Sequence, residues 1–242
     1  MINKKVISNI LSKYSLSNRI ERVKWEIKDK KLLIKLVDDS KTLSGYVDYR
    51  DYIGLKDNEY GIFDTSKLIK CLNILDGDIL INSDSKSLLL SDTNYEIKFS
   101  LSKPELTAKC PKIDEPPTWS ATFDINDEFI TRFVKSKDAL SELDTFTVET
   151  RDGFNGEELV FTIGTNITNT IEFIVENPNI NEQFDPIPFN SDFLKEILKA
   201  NRDYHSGKIR IFKGGIMDLH LHCGGPLYTG YYLIRKQEIN QF

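Results

Sequence analysis

Four times along this chain the same short pattern opens a helix: an apolar residue, then Asn or Asp, then apolar residues at helical spacing. Ile2-Asn3 leads to Ile7, Ile10 and Leu11, and Phe63-Asp64 to Leu68, Cys71 and Leu72. Ile125-Asn126 leads to Ile130, Phe133 and Val134, and Phe189-Asn190 to Leu194, Ile197 and Leu198. The starts lie 61, 62 and 64 residues apart. Asn and Asp cap helix N-termini because the side-chain oxygen accepts a free backbone N–H. The apolar residue before the cap can staple onto the first turn. Near-even spacing of four such starts points to one structural unit used four times.

Between the helices the sequence reads as strands. Segments 22–29, 31–38, 43–49 and 60–63 follow the first helix, and 77–83, 87–92 and 94–101 the second. Segments 144–150, 158–164, 169–176 and 185–189 follow the third, and 208–213, 215–222 and 227–236 the fourth. Many alternate apolar and polar residues, as half-buried antiparallel strands do. Turn-forming Gly, Asn, Asp and Ser separate them. The fold class is α+β, with each unit one helix followed by three or four antiparallel strands. Residues 102–120 hold four of the chain's eight prolines, Pro104, Pro111, Pro116 and Pro117. Proline cannot donate to a ladder and biases its neighbour to extended geometry. This stretch reads as a connector between two similar domains, 1–101 and 121–242, of two units each.

The chain has 242 residues, 40% of them hydrophobic, which is enough for a core without metal or disulfides. Cys71, Cys110 and Cys223 are odd in number and scattered, which fits a reducing cytoplasm. No segment reads as a signal peptide or a membrane span, so a soluble intracellular protein without a membrane partner is expected.

Charge is distributed unevenly. The four helical windows hold eleven bases, Lys4, Lys5, Lys13, Lys67, Lys70, Arg132, Lys135, Lys137, Lys195, Lys199 and Arg202, against six acids, while the chain nets −5. Asp127, Glu128 and Asp192 lie in first turns, where the helix dipole favours them. A basic surface built from helices inside an acidic protein suits a polyanion. No base-reading motif accompanies it, so contacts to double-stranded DNA are expected at phosphates, independent of sequence.

Chemistry is sparse. No phosphate-binding Gly-rich loop or nucleophile elbow is present, and no cofactor is expected. His220 and His222 point to one side of a strand and could take zinc with His205. A solvated strand face is the favoured explanation, because no spaced Cys/His partner pair exists.

Together these features resemble the PCNA-type sliding clamps, with a size and ending similar to T-even-phage replicative clamps. GPLYTGYYLIRKQE, 225–238, is similar to the family's ending around YYLAPK, although Arg235 stands at its proline. The loop Val37-Asp-Asp-Ser-Lys-Thr-Leu43 is similar to the family's loop after the third strand, and Gln241-Phe242 to the aromatic end of the phage clamps. The segment 176–188 is longer than the family pattern.

The resemblance implies a non-enzymatic homotrimeric ring, helices lining the hole and sheets outside. It would encircle duplex DNA, be opened by a clamp loader and tether a DNA polymerase during DNA replication. It also implies subunit joints between the strands 95–101 (Tyr95, Ile97, Lys98, Phe99) and 170–176 (Ile171, Glu172, Phe173, Val175). Partner peptides would enter a pocket of Val37, Leu43, Leu106, Ile113, Tyr232 and Ile234. The alternatives are a metal-dependent enzyme centred on His220 and His222, and a clamp-fold regulatory protein.

Overall fold

The computed structural model describes residues 2–52, 54–84, 86–107, 109–111, 116, 118–154, 156–164 and 169–236. The chain divides into two compact units. One comprises 1–39, 44–111 and 223–229, and the other 40–43, 112–222 and 230–242. The division at 111/112 falls inside the proline-rich stretch.

The first unit runs β1 (Ile2–Asn3), α1 (Lys4–Ser15), β2 (Val23–Lys28), β3 (Lys31–Val37), β4 (Leu43–Arg50), β5 (Asn58–Ile62), α2 (Thr65–Ile74), β6 (Asp78–Ser83), β7 (Ser87–Ser91) and β8 (Glu96–Ser100). Its strands are antiparallel, in the orders β1-β6-β7-β8 and β5-β2-β3-β4. Alternation makes β2 a half-buried strand. Val23, Trp25 and Ile27 are buried while Lys24 and Glu26 face outward. The β2–β3 hairpin turns through Asp29 and Lys30, both left-handed at φ 51 and 60, a geometry that matches strand twist. Gly61 lets Ser102 close on the edge strand β5: a Cβ there would lie 2.6 Å from the Ser102 carbonyl oxygen. A single 3₁₀ turn, Pro104–Leu106, follows.

The second unit runs β9 (Ala121–Asp124), α3 (Asp127–Ala139), β10 (Thr145–Gly153), β11 (Gly156–Ile163), β12 (Ile171–Ile174), β13 (Asn179–Ile180), β14 (Ile187–Asn190), α4 (Ser191–Ala200), β15 (Ser206–Phe212), β16 (Ile216–His222) and β17 (Leu227–Ile234). Residues 227–229 of β17 count with the first unit. The strand orders are β12-β11-β10-β14 and β13-β9-β15-β16-β17. An aromatic cluster fills this core. Phe146 stacks on Phe161 at 5.7 Å, Phe123 meets Phe129 at 5.0 Å, and Phe133 meets Phe146 at 5.1 Å. Such pairs add about 0.5–1.5 kcal/mol each beyond the area they bury.

All four expected caps form. Asn3, Asp64, Asn126 and Asn190 accept from the backbone N–H of Lys5, Lys67, Phe129 and Phe193. Of the twelve apolar positions read as helix stripes, eleven are buried and Cys71 is half-buried. The expected strands are all present. Three short ones, β1, β9 and β13, are additional. No helix among the described residues is long and apolar enough to cross a membrane. The three cysteines are free.

Candidate functional site

Each unit sets two helices side by side, α1 with α2 and α3 with α4. Each apolar stripe is turned into its core, so the opposite faces meet solvent. In the first unit Lys5, Lys67 and Lys70 are exposed, and in the second Lys135, Lys199 and Arg202. Solvated bases thus recur in both units, and Lys135 and Lys199 hold the same position relative to the caps of α3 and α4.

The remaining bases have local work. Lys4 donates to the carbonyls of Asn73 (3.3 Å) and Leu75, closing the C-terminal end of α2. Lys195 pairs with Asp138, whose carboxyl it holds below the usual range. Arg132 pairs with Glu128 and Glu176 (3.6 Å). Lys13 and Lys137 correct the sequence expectation, because both are buried. Lys137 donates to the Ser141 carbonyl at 2.6 Å and pairs with Asp192 at 3.0 Å. Its charge serves the end of α3 and the first turn of α4, where the helix dipoles favour this arrangement. A signal for both was in the sequence: Lys13 follows Ile10 by three residues and Lys137 follows Phe133 by four, which puts them on the buried stripe.

Among the strands that end their sheets are β8 and β12. β8 pairs only with β7, and β12 only with β11, among the described residues. The Tyr95 carbonyl accepts from Asp92 N–H and the Leu101 N–H donates to Lys86. By antiparallel alternation the peptide groups of Glu96, Lys98 and Ser100 therefore face outward. The Val175 N–H donates to the Leu159 carbonyl, so those of Glu172 and Ile174 face outward in β12. The side chains differ from expectation. Phe99 and Val175 are buried in their own units. Phe173 packs against Phe129, Phe133 and Phe161. Lys98 already pairs with Asp84 (3.4 Å) and Glu172 with Arg151 (2.6 Å). Tyr95 and Ile174 are the exposed apolar residues beside these edges, and Ile97 and Ile171 are half-buried.

The expected peptide-pocket residues separate into two kinds. Val37 and Leu43 are buried core residues of the first and second units, which corrects their reading as surface anchors. Leu106 is 63% exposed, and Tyr232 and Ile234 are half-buried. Ile113 lies outside the described residues. Sequence reasoning missed a cavity of about 500 Å³ in the first unit, between Pro104, Glu105, Thr107, Lys109 and Cys110 and one face of strands β2, β3 and β5. Lys24, Glu26, Lys35 and Glu59 line it and pair with one another at 2.9–3.5 Å. Its charged lining distinguishes it from an apolar peptide pocket.

The histidines are engaged in side-chain contacts. His220 Nε2 lies 3.0 Å from Asp218 Oδ1 and 3.2 Å from an Arg210 guanidinium nitrogen. The His205 and His222 ring centroids are 6.1 Å apart. Among the described residues no group of three or more His, Cys, Asp or Glu is placed to hold a metal ion.

No protein-family model matches the sequence, and no curated protein does. Solved structures do match. The proliferating cellular nuclear antigen of Entamoeba histolytica aligns over 97% of this chain and 96% of its own, with a TM-score of 0.74 and 15% identity. A structure described as the C-terminal region of FEN-1 bound to A. fulgidus PCNA aligns over 98% and 97%, with a TM-score of 0.74 and 17% identity. The chain has the PCNA fold. Coverage of 97–98% of the chain means that the likeness extends over both units.

Proposed function

We propose that this protein is a sliding clamp that encircles duplex DNA and tethers a DNA polymerase, without catalysis of its own. The observation that carries the reading is the solvated basic helix face recurring in both units of a PCNA fold whose overall charge is −5. Lys5, Lys67, Lys70, Lys135, Lys199 and Arg202 would meet phosphates from any sequence. An acidic remainder would keep DNA off the other surfaces.

Retention needs a closed ring, and the edges β8 and β12 support one. Unpaired backbone groups on an edge strand invite another strand. The two edges belong to different units, so copies would join β8 to β12, three to a ring by resemblance to the clamps. A loader would open one joint. Leu106, Tyr232 and Ile234 are the surface residues proposed for partner peptides. That a C-terminal region of FEN-1 binds a PCNA of this fold supports terminal peptides as the ligand class. The resemblance of the sequence to T-even-phage clamps is the basis for reading a viral replicative role in the host cytoplasm.

The test is electron microscopy of the purified protein together with polymerase processivity on primed circular DNA. A ring and longer products are expected. A monomeric particle at all concentrations, with no effect on processivity, would overturn the reading.

A further inference from the structure

The segment 176–188, longer than the clamp pattern, does something specific in the second unit. Its β13 pairs with β9, Asn179 opposite Thr122 and Ile180 opposite Ala121. Beyond that pair it grips the end of the connector. The Ser120 carbonyl accepts from the N–H groups of Asn181 (2.8 Å) and Glu182 (3.3 Å). The Ser120 hydroxyl donates to Glu182 Oε1 at 2.7 Å and accepts from the Lys213 N–H at 3.0 Å. Lys213 Nζ closes the loop on Glu182 Oε2 at 2.6 Å. The Asn181 amide donates to the Trp119 carbonyl at 2.9 Å. Ser120 is fully buried, and its N–H is bound to Ile211 at 2.8 Å.

Every polar group of Ser120 is thus occupied, and the residue before it is set in place. The half-buried Trp119 indole lies on the Arg210 guanidinium, 4.4 Å from its carbon. Arg210 is in turn locked to the buried carboxylate of Asp218, its Nε at 2.6 Å. His220 sits against Arg210 and meets the Tyr232 ring edge-on at 6.2 Å. Trp119, Arg210, His220 and Tyr232 therefore follow one another across the same sheet face. Because Asp218 neutralises Arg210, this strip offers two aromatic rings over a floor that does not demand an anion.

We propose that residues 179–184 are a connector clip, and that they hold Trp119 in place as an aromatic wall of the partner-peptide surface beside Tyr232. The clip part stands on the contacts alone; the peptide part rests on the clamp reading. Glu182 and Lys213 are positioning residues, acting through Ser120, and Trp119 is the one that touches the peptide. A preset ring costs a ligand less ordering entropy than a mobile one, and aromatic residues carry much of the energy in such interfaces.

The experiment uses the full chain carrying Trp25→Phe, so that Trp119 is the sole indole. Glu182→Gln, Lys213→Arg and Trp119→Ala are compared with it. Three quantities are read: acrylamide quenching of Trp119, amide exchange at Ser120 and Asn181, and affinity for a short synthetic peptide with two adjacent phenylalanines. Glu182→Gln is expected to raise quenching, to speed exchange about ten-fold, as loss of one charge-assisted bond implies, and to weaken the peptide several-fold. Lys213→Arg keeps the pair and should match the parent. Trp119→Ala should lose peptide affinity while exchange at Asn181 is unchanged. Should Trp25→Phe not fold, exchange and affinity in the otherwise native chain decide. Unchanged quenching and exchange in Glu182→Gln would overturn the clip. A clip that loosens as expected, in a protein whose Trp119→Ala variant binds the peptide as the parent does, would overturn Trp119 as a wall. No binding by the parent would count against the peptide reading and leave the clip standing.

Discussion

A single side-chain oxygen starts each helix, so the caps are the cheapest places to test how the fold is specified. Asn190→Ala is expected to cost about 1 kcal/mol, the usual worth of an Asn cap, measured as a shift in the urea midpoint with an unchanged slope. Ile10→Ala, in the fully buried stripe of α1, should cost more, about 2–5 kcal/mol from lost burial and the cavity left behind. Glu182 gives a pH prediction. The Lys213 ammonium, and then the Ser120 hydroxyl, hold its carboxyl below the ordinary range. Its folded pKa lies below the unfolded one, so its contribution is complete above the unfolded value near about 4.3. It is lost as pH falls through the folded value. Protection of the Asn181 N–H, taken relative to the intrinsic exchange rate at each pH, should therefore fall in acid in the parent protein and vary less in Glu182→Gln; equal pH dependence in both would contradict the assignment.

At the scale of the element, backbone direction gives a cleaner test of assembly than side-chain charge. Ile97→Asp or Phe173→Asp would confuse joining with folding, since Phe173 sits in the aromatic cluster of its own unit. Lys98 and Glu172 turn their N–H groups away from the sheet, and proline is tolerated on an edge at such positions. Lys98→Pro or Glu172→Pro should leave each unit folded by circular dichroism and yield monomers in sedimentation; an intact oligomer in both would exclude these edges as joints. The helices and long strands were legible because their apolar spacing runs over enough residues to fix a period. β1, β9 and β13 were not. Ile2-Asn3 doubles as staple and cap, Ala121–Asp124 is four residues with two apolar ones, and Asn179–Ile180 is too short for any period. The solvated lysines were legible as a set. Lys13 and Lys137 were miscounted with them, because composition treats every lysine as surface although their spacing puts both on the buried stripe, which a long aliphatic stem lets a charged residue occupy.

At the scale of the whole molecule the clamp reading makes the charge pattern the test of contact with DNA. Reversing Lys70, Lys135 and Lys199 to glutamate should reduce loading onto circular DNA at low salt. The difference should shrink as salt rises and be the same for any DNA sequence. Equal loading at low salt would place DNA elsewhere. The edges β8 and β12 carry one more implication. β8 and β12 belong to different units, so a joint between them is head-to-tail, and every open chain of copies keeps one unused strand at each end. Such joints close into a ring only at one fixed rotation per copy; otherwise they continue as a helix. A substitution that merely alters that rotation, with both edges intact, is therefore expected to produce filaments that lengthen with concentration rather than free subunits.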